Sequence, residues 1–143
     1  MIYFLDTSAL VKRYLTEPGS AEVRSLFRRK RQIAVARIAS AELAAAVARQ
    51  HRDGAVTETT RDAILARLDR DFAQMTVVEV RAAMLSRVPA LVVRWPLRGY
   101  DAVQLAAALT LAATGVSTSF WSSDGALVAA ALGEGLRATE IGQ

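Results

Sequence analysis

The chain has no cysteine, which excludes a disulfide framework and any zinc site built on thiolates. It has one histidine, His51, and with no second imidazole to join it we read His51 as a surface or capping residue. Lysine is scarce, with Lys12 and Lys30 alone. No GxSxG turn, P-loop or HExxH occurs, so the common hydrolase and nucleotide-binding signatures are missing. A long uninterrupted apolar run is lacking too. The stretch 102–123 carries no charge, yet Gly115, Ser117, Thr118 and Ser119 break it short of the ~20 apolar residues of a membrane span. At the amino terminus, Met1-Ile2-Tyr3-Phe4-Leu5 runs straight into Asp6, without the basic start and longer apolar run of a signal peptide. These absences lead us to expect a soluble, cytoplasmic protein with no membrane contact.

What is present is one domain's worth of chain, 143 residues and 52% hydrophobic, enough to bury a core without covalent staples. The net charge of +4 comes almost wholly from arginine. A basic chain is predisposed toward polyanions, but a basic surface also serves solubility, so charge alone decides nothing. Short β-like runs alternate with longer helical ones, which predicts an α/β fold with a mainly parallel sheet. Strands are expected at Ile2–Leu5, Gln32–Ala36, Met75–Val80, Val116–Ser122 and, at an edge, Arg137–Ile141. Helices are expected at Ser8–Leu15, from about Ser20 to Arg29, from a Ser40 cap to near Gly54, and from Thr57 onward with Ile64, Leu65, Leu68 and Phe72 on one face. Further helices follow at Ala82–Val93, with a kink or break at Pro89, at Asp101–Ala113 and at Gly125–Leu132. No linker, repeat or low-complexity tract divides the chain.

Four acids sit oddly within this pattern. Asp6 ends an apolar strand, and Asp124 follows the strand that closes with Ser122. If those strands are parallel, both carboxylates emerge at the carboxyl edge of the sheet, where open α/β folds bind ligands. Asp101 opens an apolar helix, and Glu42 lies in the first turn of an alanine-rich one. Taken singly, an aspartate at a helix start is ordinarily a cap and a first-turn glutamate a partner of the helix dipole. Taken together, four such charges at one edge repel, and sequence sets only Arg98 beside them. A divalent cation would balance them, and all-oxygen ligands favour magnesium or manganese. Ser8 and Ser122 stand close enough in sequence to hydrogen-bond those carboxylates or a water beside them, or to cap locally.

The segment Asp6-Thr7-Ser8-Ala9-Leu10-Val11-Lys12, followed by Glu17-Pro18-Gly19-Ser20, resembles the opening of PIN-domain proteins, specifically VapC-type toxins. Ser40-Ala41-Glu42-Leu43 corresponds to the family's second acidic position. Leu97 to Ala108, with Asp101, looks like the third, and Trp121-Ser122-Ser123-Asp124 like the fourth. The likeness runs in order from Met1 to about Leu136. It implies a PIN-like fold, a parallel twisted sheet of about five strands flanked by helices in a single domain over 1–143. It also implies a Mg2+- or Mn2+-dependent endoribonuclease toxin of a type II toxin–antitoxin system. Asp6, Glu42, Asp101 and Asp124 would be its catalytic and metal-holding residues, Ser8 and Ser122 their supports. The implied partners are an RNA substrate, a small VapB-like antitoxin and a second copy of the chain. Ser122 departs from the threonine many relatives carry there, but the hydroxyl is kept.

A phosphoacceptor receiver domain also gathers acids at a sheet edge, but wants paired acids after the first strand and a late lysine. A dehalogenase-type phosphatase wants a second acid where Ser8 stands. The remaining alternative is a PIN module that binds RNA or a partner protein without cutting; loss of acids would be its mark, and all four are here. The run Arg28-Arg29-Lys30-Arg31 suits a helix carboxyl end, with contact to RNA phosphate or an antitoxin as the lesser reading; Arg24 and Arg28, one helical turn apart, would share a phosphate-facing stripe. Trp95 and Trp121 read as core or interface anchors.

Overall fold

The computed structural model describes residues 1–143. Five strands form one sheet: β1 (Ile2–Leu5), β2 (Gln32–Ala36), β3 (Thr76–Val78), β4 (Thr118–Ser122) and β5 (Arg137–Glu140). Their order is β3-β2-β1-β4-β5, and every neighbouring pair is parallel. Parallel strands need crossovers. These are supplied by α1 (Thr7–Tyr14), α2 (Ser20–Arg28), α3 (Ala39–Arg52), α4 (Glu58–Phe72), α5 (Ala82–Leu85), α6 (Val88–Arg94), α7 (Gly99–Ala112) and α8 (Gly125–Gly133). The expected α/β architecture, a five-stranded parallel sheet flanked by helices, is what forms.

Strand periodicity explains how both faces are covered. Alternate residues of a strand point to opposite faces. Ile2 and Phe4 join Ala34, Ala36 and Phe120 in one apolar cluster under α7 and α8. Leu5, Ile33 and Val35 join a second cluster under α1 to α4. Phe4 and Phe120, neighbours across the β1–β4 ladder, stack with ring centroids 5.7 Å apart. On α7 the buried residues include Ala102, Ala106, Ala107 and Ala108; such short side chains let the helix lie close to the sheet. No helix is long and apolar enough to cross a membrane.

Several element boundaries differ from the sequence reading, each for a local reason. Asp6 caps α1, its side chain accepting from Ala9 N, so the helix begins at Thr7. Ser40 does not cap α3. The chain already turns helical at Ile38, the helix starts at Ala39, and the Ser40 hydroxyl donates back to the Arg37 carbonyl. Thr57 is the cap of α4, accepting from Thr60 N. The strand expected over Met75–Val80 shrinks to the three residues that pair with β2. The helix expected over 82–93 breaks in two, with Pro89 in the first turn of α6, where its missing N–H is harmless. α7 starts at Gly99, which moves Asp101 from the helix end into its first turn.

Candidate active site

The sheet reverses its winding at β1, with β2 on one side and β4 on the other. In open α/β sheets such a reversal leaves a crevice at the carboxyl ends of the strands. Leu5 pairs with Trp121, and Asp6 N donates to the Trp121 carbonyl at 3.1 Å. The acids that follow β1 and β4 are thereby carried to one edge. There a cavity of about 500 Å³ opens, lined by Asp6, Glu42, Asp101 and Asp124. The four acids singled out in the sequence line this one cavity.

Asp6 lies deepest, 4% exposed. Its Oδ1 accepts from the Ser8 hydroxyl at 2.7 Å and from Ala9 N at 2.9 Å. Its Oδ2 accepts from the Ser122 hydroxyl at 2.6 Å. Removal from water disfavours the charged form and outweighs these three donors, and the negative charge of Asp101 adds to it. The Asp6 carboxyl is therefore pushed up to about 6 from its ordinary 3.8. Ser122, fully buried, also accepts from Asp124 N at 3.0 Å, and Ser8 Oγ accepts from Ser123 N at 3.0 Å. The two serines thus tie the ends of β1 and β4 together through Asp6.

The other three acids are held differently. Asp124 caps α8, its Oδ1 accepting from Ala126 N at 2.9 Å and Leu127 N at 3.3 Å. Glu42 Oε1 accepts from the Thr7 hydroxyl at 2.8 Å and from Gln104 Nε2 at 2.9 Å. Asp101 makes no cap bond; its one partner is Arg98 Nε at 3.4 Å, a long contact to a side chain 89% exposed. Capping accounts for part of what Asp6 and Asp124 do, and for nothing that Asp101 does. Held this way, no three acidic or imidazole groups already converge tightly on one point. The donors form two hydrogen-bonded halves, Asp6–Ser8–Ser122–Asp124 and Glu42–Thr7–Gln104, with Asp101 attached to neither.

Sequence reading missed three polar or charged residues of the cavity: Thr7, Arg49 and Gln104. Helical spacing carried a signal for two of them, since Gln104 follows Asp101 by three positions and Arg49 follows Glu42 by seven. Arg98 is accordingly not the sole cation near the acids. Gln104 is 3% exposed and its Oε1 has no hydrogen-bond partner. Its other amide atom is fully used, Nε2 donating to Glu42 and to Thr7 Oγ1 at 3.0 Å. Arg24, Arg28 and Arg28–Arg31 lie outside the cavity.

A parallel sheet with an acidic crevice at its β1–β4 reversal defines a class. The chain belongs to the PIN domain family, whose model matches residues 3–120. Among curated proteins it is similar to Ribonuclease VapC45 of Mycobacterium tuberculosis, 34% identical over 125 residues that cover 85% of this chain and 83% of the relative. Among solved structures, PAE2754 from Pyrobaculum aerophilum matches with a TM-score of 0.67 at 20% identity, over 96% of this chain and 89% of that one. A toxin–antitoxin complex from Klebsiella pneumoniae matches with a TM-score of 0.61 at 15% identity, over 85% and 86%. At such identities the solved structures speak for the fold alone.

Proposed function

We propose that this chain is a Mg2+- or Mn2+-dependent endoribonuclease, the toxin of a toxin–antitoxin pair, that hydrolyses RNA phosphodiester bonds at the four-carboxylate cavity. The observation that carries this reading is the arrival of Asp6, Glu42, Asp101 and Asp124 at one cavity from four separate elements. The ribonuclease name of its curated relative and the fold it shares with a toxin–antitoxin complex point the same way. The donor chemistry fits a hard divalent ion, being all oxygen with neither thiolate nor imidazole in the cavity.

In this reading Asp6, Asp101, Asp124 and Glu42 hold the ion. When bound, it supplies an activated water and neutralises charge at the scissile phosphate. After accepting from Ser8 and Ala9 on Oδ1 and from Ser122 on Oδ2, Asp6 keeps a free lone-pair direction on Oδ2. Those donors fix its rotamer, so no conformational freedom is lost when it takes a ligand. Thr7 and Gln104 do the same for Glu42 from α1 and α7. Asp101, least restrained, is free to turn toward a ligand. The mouth that receives the RNA strand would also take a segment of a small VapB-like antitoxin. A homodimer and a cytoplasmic place of action complete the proposal.

The test is cleavage of RNA by the purified, antitoxin-free chain with magnesium or manganese, with EDTA, and as Asp6→Asn. Cutting is expected with the metal alone and is abolished by chelation and by Asp6→Asn. Cutting that survives either change overturns the metal mechanism. A folded chain that is inert on every RNA supports a binding module instead.

A further inference from the structure

The acidic floor of the cavity is edged by cations with little else to do. On α3, positions 42, 45, 46 and 49 all line the cavity, the i, i+3, i+4, i+7 spacing of one helix side. Arg49 therefore stands about 10 Å along the helix axis from Glu42. Between them are only Ala45 and Ala46, a wall of methyl groups that leaves the path along the helix clear. Arg49 is exposed and takes part in none of the chain's ion pairs. Arg98, at the cap position of α7, is 89% exposed with one long contact to Asp101. Two residues further on, the Tyr100 ring is 65% exposed. Two weakly engaged cations thus line the same cavity as the four carboxylates, and an exposed aromatic ring follows one of them closely in the chain.

We infer that this rim is the binding track for an unpaired RNA strand, with Arg49 and Arg98 taking phosphates on either side of the one held over the carboxylates and Tyr100 stacking a flanking base. The identity of the polyanion rests on the ribonuclease reading. An acidic floor repels RNA, so attraction has to come from beside it, and Arg49 and Arg98 are the cations that line this cavity. Stacking on Tyr100 requires a base face that a duplex hides. The track accordingly selects single strands, loops or bulges over paired RNA.

The experiment measures binding apart from cutting. A short, unstructured, fluorescently labelled RNA is titrated in EDTA against Asp6→Asn protein, alone and combined with Arg49→Ala, Arg98→Ala or Tyr100→Ala, at several salt concentrations. Arg137→Ala, on β5 at the opposite edge of the sheet, is the control. Each arginine variant is expected to lower the slope of log affinity against log salt by about 0.7, the share of one single-strand phosphate contact. Tyr100→Ala is expected to weaken binding at least about fivefold while leaving that slope unchanged. The same sequence annealed to its complement binds more weakly than the single strand. Affinities and slopes that match the control overturn the track whether or not the parent chain cuts RNA, and free the arginines for a protein partner. Weakened binding alongside a parent chain that never cuts keeps the track and removes the nuclease.

Discussion

Burial of Asp6 has a measurable consequence for stability. A carboxyl raised to about 6 from 3.8 binds protons more tightly in the folded chain than in the unfolded one. Stability therefore falls as pH rises through that interval and stays reduced above it. At about 1.4 kcal/mol per unit, keeping Asp6 charged costs the metal-free fold about 3 kcal/mol at neutral pH. Asp6→Asn removes the charge and can keep the hydrogen bonds. The asparagine carbonyl accepts from Ser8 and Ala9 as Oδ1 does now, and its amide donates to Ser122 Oγ. The Ser122 hydroxyl then turns to donate to Ser8 Oγ, 3.3 Å away. Each hydrogen bond that Asp6 makes now has a counterpart, and one amide N–H is left over. In EDTA, thermal unfolding at about pH 7.5 should show Asp6→Asn about 10 °C more stable than the parent, given the unfolding entropy of a chain this long. Near about pH 4 the gap should close, because the parent carboxyl is by then protonated. A variant less stable than the parent at neutral pH, or a gap that ignores pH, refutes the reasoning and leaves Asp6 chiefly a helix cap.

Asp101 raises Asp6 through its charge, so Asp101→Asn should bring the Asp6 carboxyl down; carbon-detected NMR titration of the metal-free chain reads this directly, and an unmoved midpoint refutes the coupling. Since Asp101 caps nothing, the same variant should melt no lower than the parent, and a marked drop would reveal structural work not visible in its contacts. A side chain on Gly133 would collide with the Trp95 ring, so Gly133→Ala should cost about 1–3 kcal/mol by overpacking. Denaturant unfolding with an unchanged midpoint would refute that.

The order of strands and helices was legible because apolar periodicity is a local property. The runs at Ile2–Leu5 and Gln32–Ala36 are short, unbroken and rich in β-formers, and they form strands at those bounds. The acids at Asp6 and Asp124 were conspicuous because a charge at the end of an apolar strand is costly unless something else needs it. Boundaries were less legible at Asp6 against Ser8, because polar residues within one turn can meet the same free amides, and at α3, which starts behind Ile38 with no side-chain cap at all. Thr7, Arg49 and Gln104 escaped notice because their types are unremarkable alone; only the element each faces gives them a role.

By itself, then, the sequence determined which segments are strands and helices and which face of each is apolar, since both follow from neighbours within a turn or two. Tertiary structure alone decided that Ser122 would donate to Asp6 across 116 positions of chain, and that Gln104 and Thr7 would close on Glu42 from separate helices. The reason is that side-chain spacing fixes a residue's direction within its own element, whereas what lies in that direction depends on strand order. Here that order sets β1 against β4.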